Sequence, residues 1–202
     1  ENFYKSFSIK VSGINIGELV WFLEIDDNNY SNDIKLKSKG FLSAIYKFEG
    51  NYLSKGVISN NKLKPQIYNH VWKTNKAKKT MSLVFGNNKL ISLNQTPYEK
   101  EKLRTNVFNI KQTKDPLSSF LEIIIGETIS LVVDGRRTYT MNAKFDKKEN
   151  KTVINISEYS NLWADHTRSK FEQISFEKKE GVLLPIKINI HFDGRVFKLE
   201  QN

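Results

Sequence analysis

The chain has 202 residues, 32 Lys plus Arg against 22 Asp plus Glu, a formal charge of +10 and no cysteine. Thiol catalysis, disulfides and thiolate metal sites are therefore excluded. Plentiful aromatics with few Gly and Pro argue against disorder, and no apolar run approaches the roughly 20 residues of a helical membrane span.

In chain order, strand signals dominate. Phe7 to Val11 alternates apolar and polar, Gly13 to Gly17 reads as a turn, and Glu18 to Ile25 places Leu19, Trp21, Leu23 and Ile25 on one face. Asn28 to Ser31 is a turn cluster, Ile34 to Lys37 alternates again, and Phe41 to Tyr52 is an aromatic-rich run. Lys55–Ser59, Gln66–Lys73, Lys79–Phe85 and Lys89–Leu93 are further strand candidates, the last two joined by a Gly86-Asn87-Asn88 hairpin loop. Gln95 to Lys114 is charged and weakly patterned, and reads as a long connection.

That connection leads into a single predicted helix, near 115–125. Asp115 suits the N-cap and Pro116 the first helical position. Leu117, Phe120, Leu121 and Ile124 fall on one apolar stripe, and Gly126 is placed to end the helix in a left-handed conformation. Strands resume over Thr128–Asp134, Arg137–Phe145, Thr152–Glu158, Phe171–Lys178, Leu184–Phe192 and Val196–Leu199. Asp193-Gly194 is a strong two-residue hairpin signal, since both central positions of that turn need positive φ. One short helix among about a dozen closely spaced strands implies a single domain over residues 1–202, mainly β, with one large antiparallel sheet that curls on itself.

No recognisable catalytic constellation accompanies this pattern, so no enzyme, cofactor or metal is expected. His70, His166 and His191 lie in different elements at no metal-ligand spacing. Ser118 and Ser119 lack the strand–turn–helix elbow of a hydrolase nucleophile. Asp26-Asp27 reads as a turn, because adjacent strand residues point to opposite faces. Phosphate-loop and dinucleotide fingerprints are absent. Two features stand out as binding or structural motifs. Asp134, Gly135, Arg136, Arg137 and Tyr139 form a polar turn; its arginines either hold an anion or, as the simpler reading, stabilise their own hairpin and a neighbouring strand. Trp163 lies in a loop-like segment, as a binding aromatic or as a plug over the end of the sheet.

The positive charge points less to nucleic acid than it first suggests. Only five residues are Arg, the fork-shaped cation that nucleic-acid surfaces favour. The lysines read as spread along the chain and interleaved with acids, and the densest run, Lys73 to Lys79, reads as a solvated loop. The chain opens at Glu1-Asn2-Phe3-Tyr4 without Met, which fits a removed signal peptide and equally a shortened chain.

Several of these stretches together resemble a known family. They are Gly13-x-x-x-Gly17 between strands, Gly40-Phe41, Leu63 to Tyr68, Asp115-Pro116-Leu117-Ser118, Asp134-Gly135-Arg136-Arg137-x-Tyr139, and Leu184-Pro185-Ile186 before a final hairpin. The chain resembles, over nearly its whole length, the exported bacterial family called domain of unknown function 3108. The resemblance implies a periplasmic location in a Gram-negative cell and a spiral-like or open barrel-like sheet. It is similar in kind to β-spiral proteins of envelope integrity and, more distantly, to lipoprotein-carrier half-barrels. Many relatives carry a cysteine pair near the Asp-Gly-Arg-Arg hairpin; this chain holds that region without one. The expectation is a non-enzymatic envelope protein that binds a lipid, lipoprotein or envelope protein on its curved sheet, with Trp21, Phe22, Phe41, Tyr46 and Phe48 either lining the concavity or, equally, filling a solid core. The alternative is a scaffold with a solid core that binds a partner protein through a sheet edge or loops.

Overall fold

In the computed structural model, which describes residues 1–164 and 170–202, fourteen strands form one sheet. They are β1 (Asn2–Val11), β2 (Ile14–Asp26), β3 (Asn29–Ser38), β4 (Phe48–Ser59), β5 (Lys62–Thr74), β6 (Lys78–Gly86), β7 (Lys89–Thr96), β8 (Thr113–Lys114), β9 (Ile129–Val133), β10 (Arg137–Asp146), β11 (Lys151–Asn161), β12 (Phe171–Glu177), β13 (Lys187–Phe192) and β14 (Arg195–Gln201), with helix α1 (Pro116–Ile124) between β8 and β9. His166 lies outside the described residues.

The first and last strands lie side by side in the middle of the sheet, with Ile9 opposite Leu199. Two meanders run outward from this pair. Their outer edges, β7 and β8, come from the middle of the chain. Residues 97–112 carry the chain from one edge to the other, and an antiparallel bridge between Lys89 and Lys111 nearly closes the sheet into a barrel. All strand pairs are antiparallel except β8 with β9.

Local chemistry explains the turns. Asn60-Asn61, Asn87-Asn88 and Asp193-Gly194 each take positive φ at both residues, the geometry of a two-residue hairpin whose twist matches its strands. Three expected boundaries shift. The turn expected over Gly13–Gly17 is only Ser12-Gly13, with β2 already under way at Ile14, and the cluster at Asn28–Ser31 is a turn only to Asn28. Turn-favouring residues are tolerated inside strands when both neighbours supply ladder bonds. The aromatic run is not one strand. Gly40 takes φ +75° and breaks β3, Phe41–Ala44 forms a 3₁₀ turn, and β4 starts at Phe48.

Helix α1 is the stopper of the barrel. Trp21 stacks on Phe120 with ring centroids 5.9 Å apart, and Phe120 meets Phe176 edge-on at 5.6 Å. These rings sit in a core that spans β1–β3, the helix and β9–β14. A second, smaller cluster joins Tyr68, Leu83, Leu90, Val107 and Trp163. The long connection is thus anchored by Val107, which is fully buried. Helix α1 and the two clusters occupy the space that the sheet encloses around Trp21 and Tyr68. Of the five aromatics read as lining or core, Trp21 is core, while Phe22 is partly exposed, Phe41 and Tyr46 are exposed on the connection, and Phe48 stacks on Trp72 at 5.5 Å.

Candidate functional site

The helix start carries a buried polar knot. Asp115 Oδ1 accepts the backbone N–H groups of Leu117 (2.9 Å) and Ser118 (3.0 Å), the N-cap arrangement that its position in the sequence predicts. Pro116 occupies the first turn, where no N–H is needed. Oδ2 accepts the hydroxyls of Ser118 (2.6 Å) and Ser54 (2.9 Å). Tyr30 Oη lies 2.6 Å from Ser118 Oγ and completes the knot by donating to it. Nearby, Trp21 Nε1 donates to Asn32 Oδ1 at 2.6 Å. Burial pushes the Asp115 carboxyl above its usual range, against the pull of four hydrogen bonds. Burial, and then the Asp115 charge, push the Tyr30 phenol up as well. The knot contains a serine beside a carboxylate, but no imidazole, and Ser54, Asp115 and Ser118 are all inaccessible to solvent. Its chemistry is positional: it ties α1 to β3 and β4.

The second motif is a hairpin. Asp134 Oδ1 accepts the N–H groups of Arg136 (2.8 Å) and Arg137 (2.6 Å), which closes the β9–β10 turn. Gly135 takes φ +90° there, and an added Cβ would lie 2.3 Å from Met81 Sδ, so both conformation and space call for glycine. Trp163 donates from Nε1 to the Gly135 carbonyl at 3.0 Å. Arg137 lies over the Tyr159 ring at 5.6 Å, and buried Tyr139 meets Phe171 edge-on at 5.5 Å. Asp134, Gly135, Arg136, Arg137, Tyr139 and Trp163 therefore do come together, as a plug at one end of the barrel. Asp115 and Pro116 sit apart, at the helix start. Burial, with smaller contributions from nearby charges that include both carboxylates, holds the Tyr68 and Tyr139 phenols well above their ordinary value.

The accessible concavity is elsewhere. A cleft of about 860 Å³ opens where the two edges of the sheet approach, between the β4–β5 and β6–β7 turns on one side and β8–β9 on the other. Leu63, Pro65, Phe85, Ile129 and Leu131 give it an apolar floor; Lys62, Lys64, Lys111 and Lys114 stand among Glu122, Glu127 and Glu158. Glu122 is only 2% exposed, accepts the Leu63 N–H at 3.0 Å, and pairs with Lys114 at 3.0 Å. Lys62 pairs with Glu127 at 3.2 Å. Among the described residues, Lys64 and Lys111, which border the cleft, form no ion pair. No group of metal-ligating side chains occurs among the described residues. The sequence pattern gave no hint of this cleft, because its walls come from segments on opposite edges of the sheet.

The chain belongs to the family described as "Protein of unknown function (DUF3108)", whose profile matches residues 6–194. Among solved structures it is similar to a "Beta-barrel-like Protein of Domain of Unknown Function DUF1849 from Brucella abortus". That similarity has a TM-score of 0.55 and 10% identity, and covers 100% of this chain and 95% of that one. At that identity the likeness speaks for the fold alone. No curated protein matches the chain.

Proposed function

We propose that the protein is a non-enzymatic binding protein of the bacterial envelope, working in the periplasm, and that it takes a lipid or lipoprotein acyl group with an anionic head in the cleft at the seam of its sheet. The observation that carries this reading is the cleft itself. It joins an apolar floor to Lys64 and Lys111, and its volume falls in the range of small-molecule sites. The filled interior moves the site from the concave face to the seam. A second reading has its own support: beyond the Lys89–Lys111 bridge, β7 pairs with a strand on one side only. Such an edge suits addition of a strand from a partner protein.

The test is native mass spectrometry of protein exported by a Gram-negative host. The expected result is a co-purifying mass that organic solvent removes and that Ile129→Asp with Lys111→Glu abolishes. A bare chain that also fails to take up a fluorescent fatty acid overturns the lipid reading and leaves the β7 edge.

A further inference from the structure

Antiparallel pairing brings alternate connections to the same end of the barrel. The Ser12-Gly13 turn, the 39–47 connection, the 75–77 turn and the chain leaving β7 all emerge together. Large apolar side chains are displayed there. Tyr98 is 84% exposed, Phe41 82%, and Ile14, Ile45 and Tyr46 more than half. None of them contributes to the core. The 39–47 connection has a firm base: Tyr46 packs on Phe48 at 6.2 Å and Phe48 on Trp72 at 5.5 Å.

One side of the sheet is also basic along its whole length. From Gly50 to Tyr98 the chain has eight lysines and no Asp, Glu or Arg. The interleaving of lysines with acids, expected along the whole chain, fails over this stretch. Strands β4 to β7 are neighbours, so this is one continuous sector of the sheet. At the end in question, Lys73, Lys76, Lys78 and Lys79 flank the β5–β6 turn and Lys39 and Lys47 flank the apolar connection. This end has acids too: Glu18 pairs with Lys39 at 2.9 Å, Glu49 lies opposite Lys73, Asp134 and Asp193 accept backbone N–H groups, Glu99 and Glu101 follow Tyr98, and Glu172 lies at the start of β12. At the opposite end Lys62, Lys114 and Lys151 pair with Glu127, Glu122 and Glu149, while Lys64 and Lys111 form no ion pair among the described residues.

We infer that this end docks on the surface of an anionic lipid bilayer. Aromatic and aliphatic side chains at separate loop tips can each enter the headgroup boundary independently, whereas a protein partner would need them gathered into one shaped patch. Tyr side chains are suited to that boundary, because their rings are apolar and their hydroxyls polar. Lysines beside them gain from the negative surface potential within about a Debye length. The inference is independent of the seam cleft, which lies at the other end.

The test is co-sedimentation of the full chain with vesicles of phosphatidylethanolamine and phosphatidylglycerol, against vesicles of phosphatidylcholine. Binding is expected to the anionic vesicles, weakening with salt. The triple variant K76E/K78E/K79E is expected to lose more than about tenfold in binding, and Phe41→Ser with Tyr46→Ser to lose a comparable amount. All these positions are exposed, so the fold is retained, as circular dichroism checks. Charge reversal at Lys147 and Lys148, at the opposite end, is expected to leave binding unchanged, as is Ile129→Asp in the cleft. Equal partitioning to both vesicle types, an equal loss from K147E/K148E, or binding to an acidic protein with none to vesicles would each overturn the inference.

Discussion

Ser54, in the middle of β4, donates its hydroxyl to Asp115 Oδ2 at 2.9 Å, across 61 residues of sequence. The same oxygen accepts Ser118 Oγ. A residue chosen locally to start a helix is thus also the anchor that holds the helix inside the sheet. Replacing Asp115 by Ala removes the cap and leaves buried donors unpaired, for a combined cost of about 3 kcal/mol. Asp115→Asn keeps the acceptor for the two N–H groups while Ser54 and Ser118 turn to accept, and is expected to cost less than half as much. Urea unfolding of the two variants checks this; equal losses would mean that the retained cap contributes nothing and that the carboxylate's bonds to Ser54 and Ser118 carry the cost.

How much of this arrangement can be read from sequence differs between the two sides of the helix. The cap, Pro116 and the Leu117–Phe120–Leu121–Ile124 stripe are set by neighbours within a turn, and the start is found where it is expected. Ser118, Ser119 and Glu122 lie off that stripe, and nothing in the local pattern marks them for burial. They are buried because the sheet wraps the helix from the other side, bringing Tyr30, Ser54, Leu63 and Ser130 to meet them. That wrapping depends on pairing β1 with β14, which local pattern does not encode. The Asp134–Tyr139 hairpin is legible for the opposite reason, since its stabilising bonds run over two or three residues.

Glu122 offers a sharper case. Its two oxygens serve different partners, the Leu63 N–H and the Lys114 ammonium. Glu122→Ala strands both in a place with little access to water, and is expected to destabilise by about 3 kcal/mol. Glu122→Gln preserves an acceptor for Leu63 but not the charge, and falls between. If the lysine matters chiefly through this pair, adding Lys114→Met to Glu122→Ala recovers part of the loss. A double-mutant cycle by thermal unfolding reads the coupling, and additive losses would refute it.

Gly56 sits at the irregularity where the β4–β5 register shifts, opposite Pro65. A Cβ there would lie 2.2 Å from the Lys64 carbonyl oxygen and 2.8 Å from both Pro65 Cα and Tyr30 Oη. The first two are backbone atoms, so the strands must part to accept Ala, and Tyr30 must shift from Ser118. Gly56→Ala is expected to cost about 2 kcal/mol or more. Because the same shift disturbs the knot, its loss is expected to be less than additive with Asp115→Ala. Full additivity would show that the two sites do not share a partner.

His70 gives the protein an acid sensitivity of its own. It lies opposite Tyr52 in the β4–β5 register, the rings stacked at 4.3 Å, and burial lowers its pKa to about 4. In the unfolded chain an imidazole titrates near 6.5. The folded state therefore keeps His70 neutral where the unfolded state has already bound a proton. Stability is complete above about pH 6.5 and falls as pH drops toward 4. Asp115 works with the opposite sign, since its raised pKa favours the folded state as the carboxyl protonates. Total stability against pH blends the two, but the difference between wild type and His70→Phe isolates the imidazole while keeping a ring against Tyr52. Between pH 7 and pH 4.5 the wild type is expected to lose about 1–2 kcal/mol more than the variant, the partial exposure of the ring reducing the full linkage value. Denaturant midpoints at the two pH values measure it. Parallel losses in both proteins would show that His70 is protonated as readily folded as unfolded.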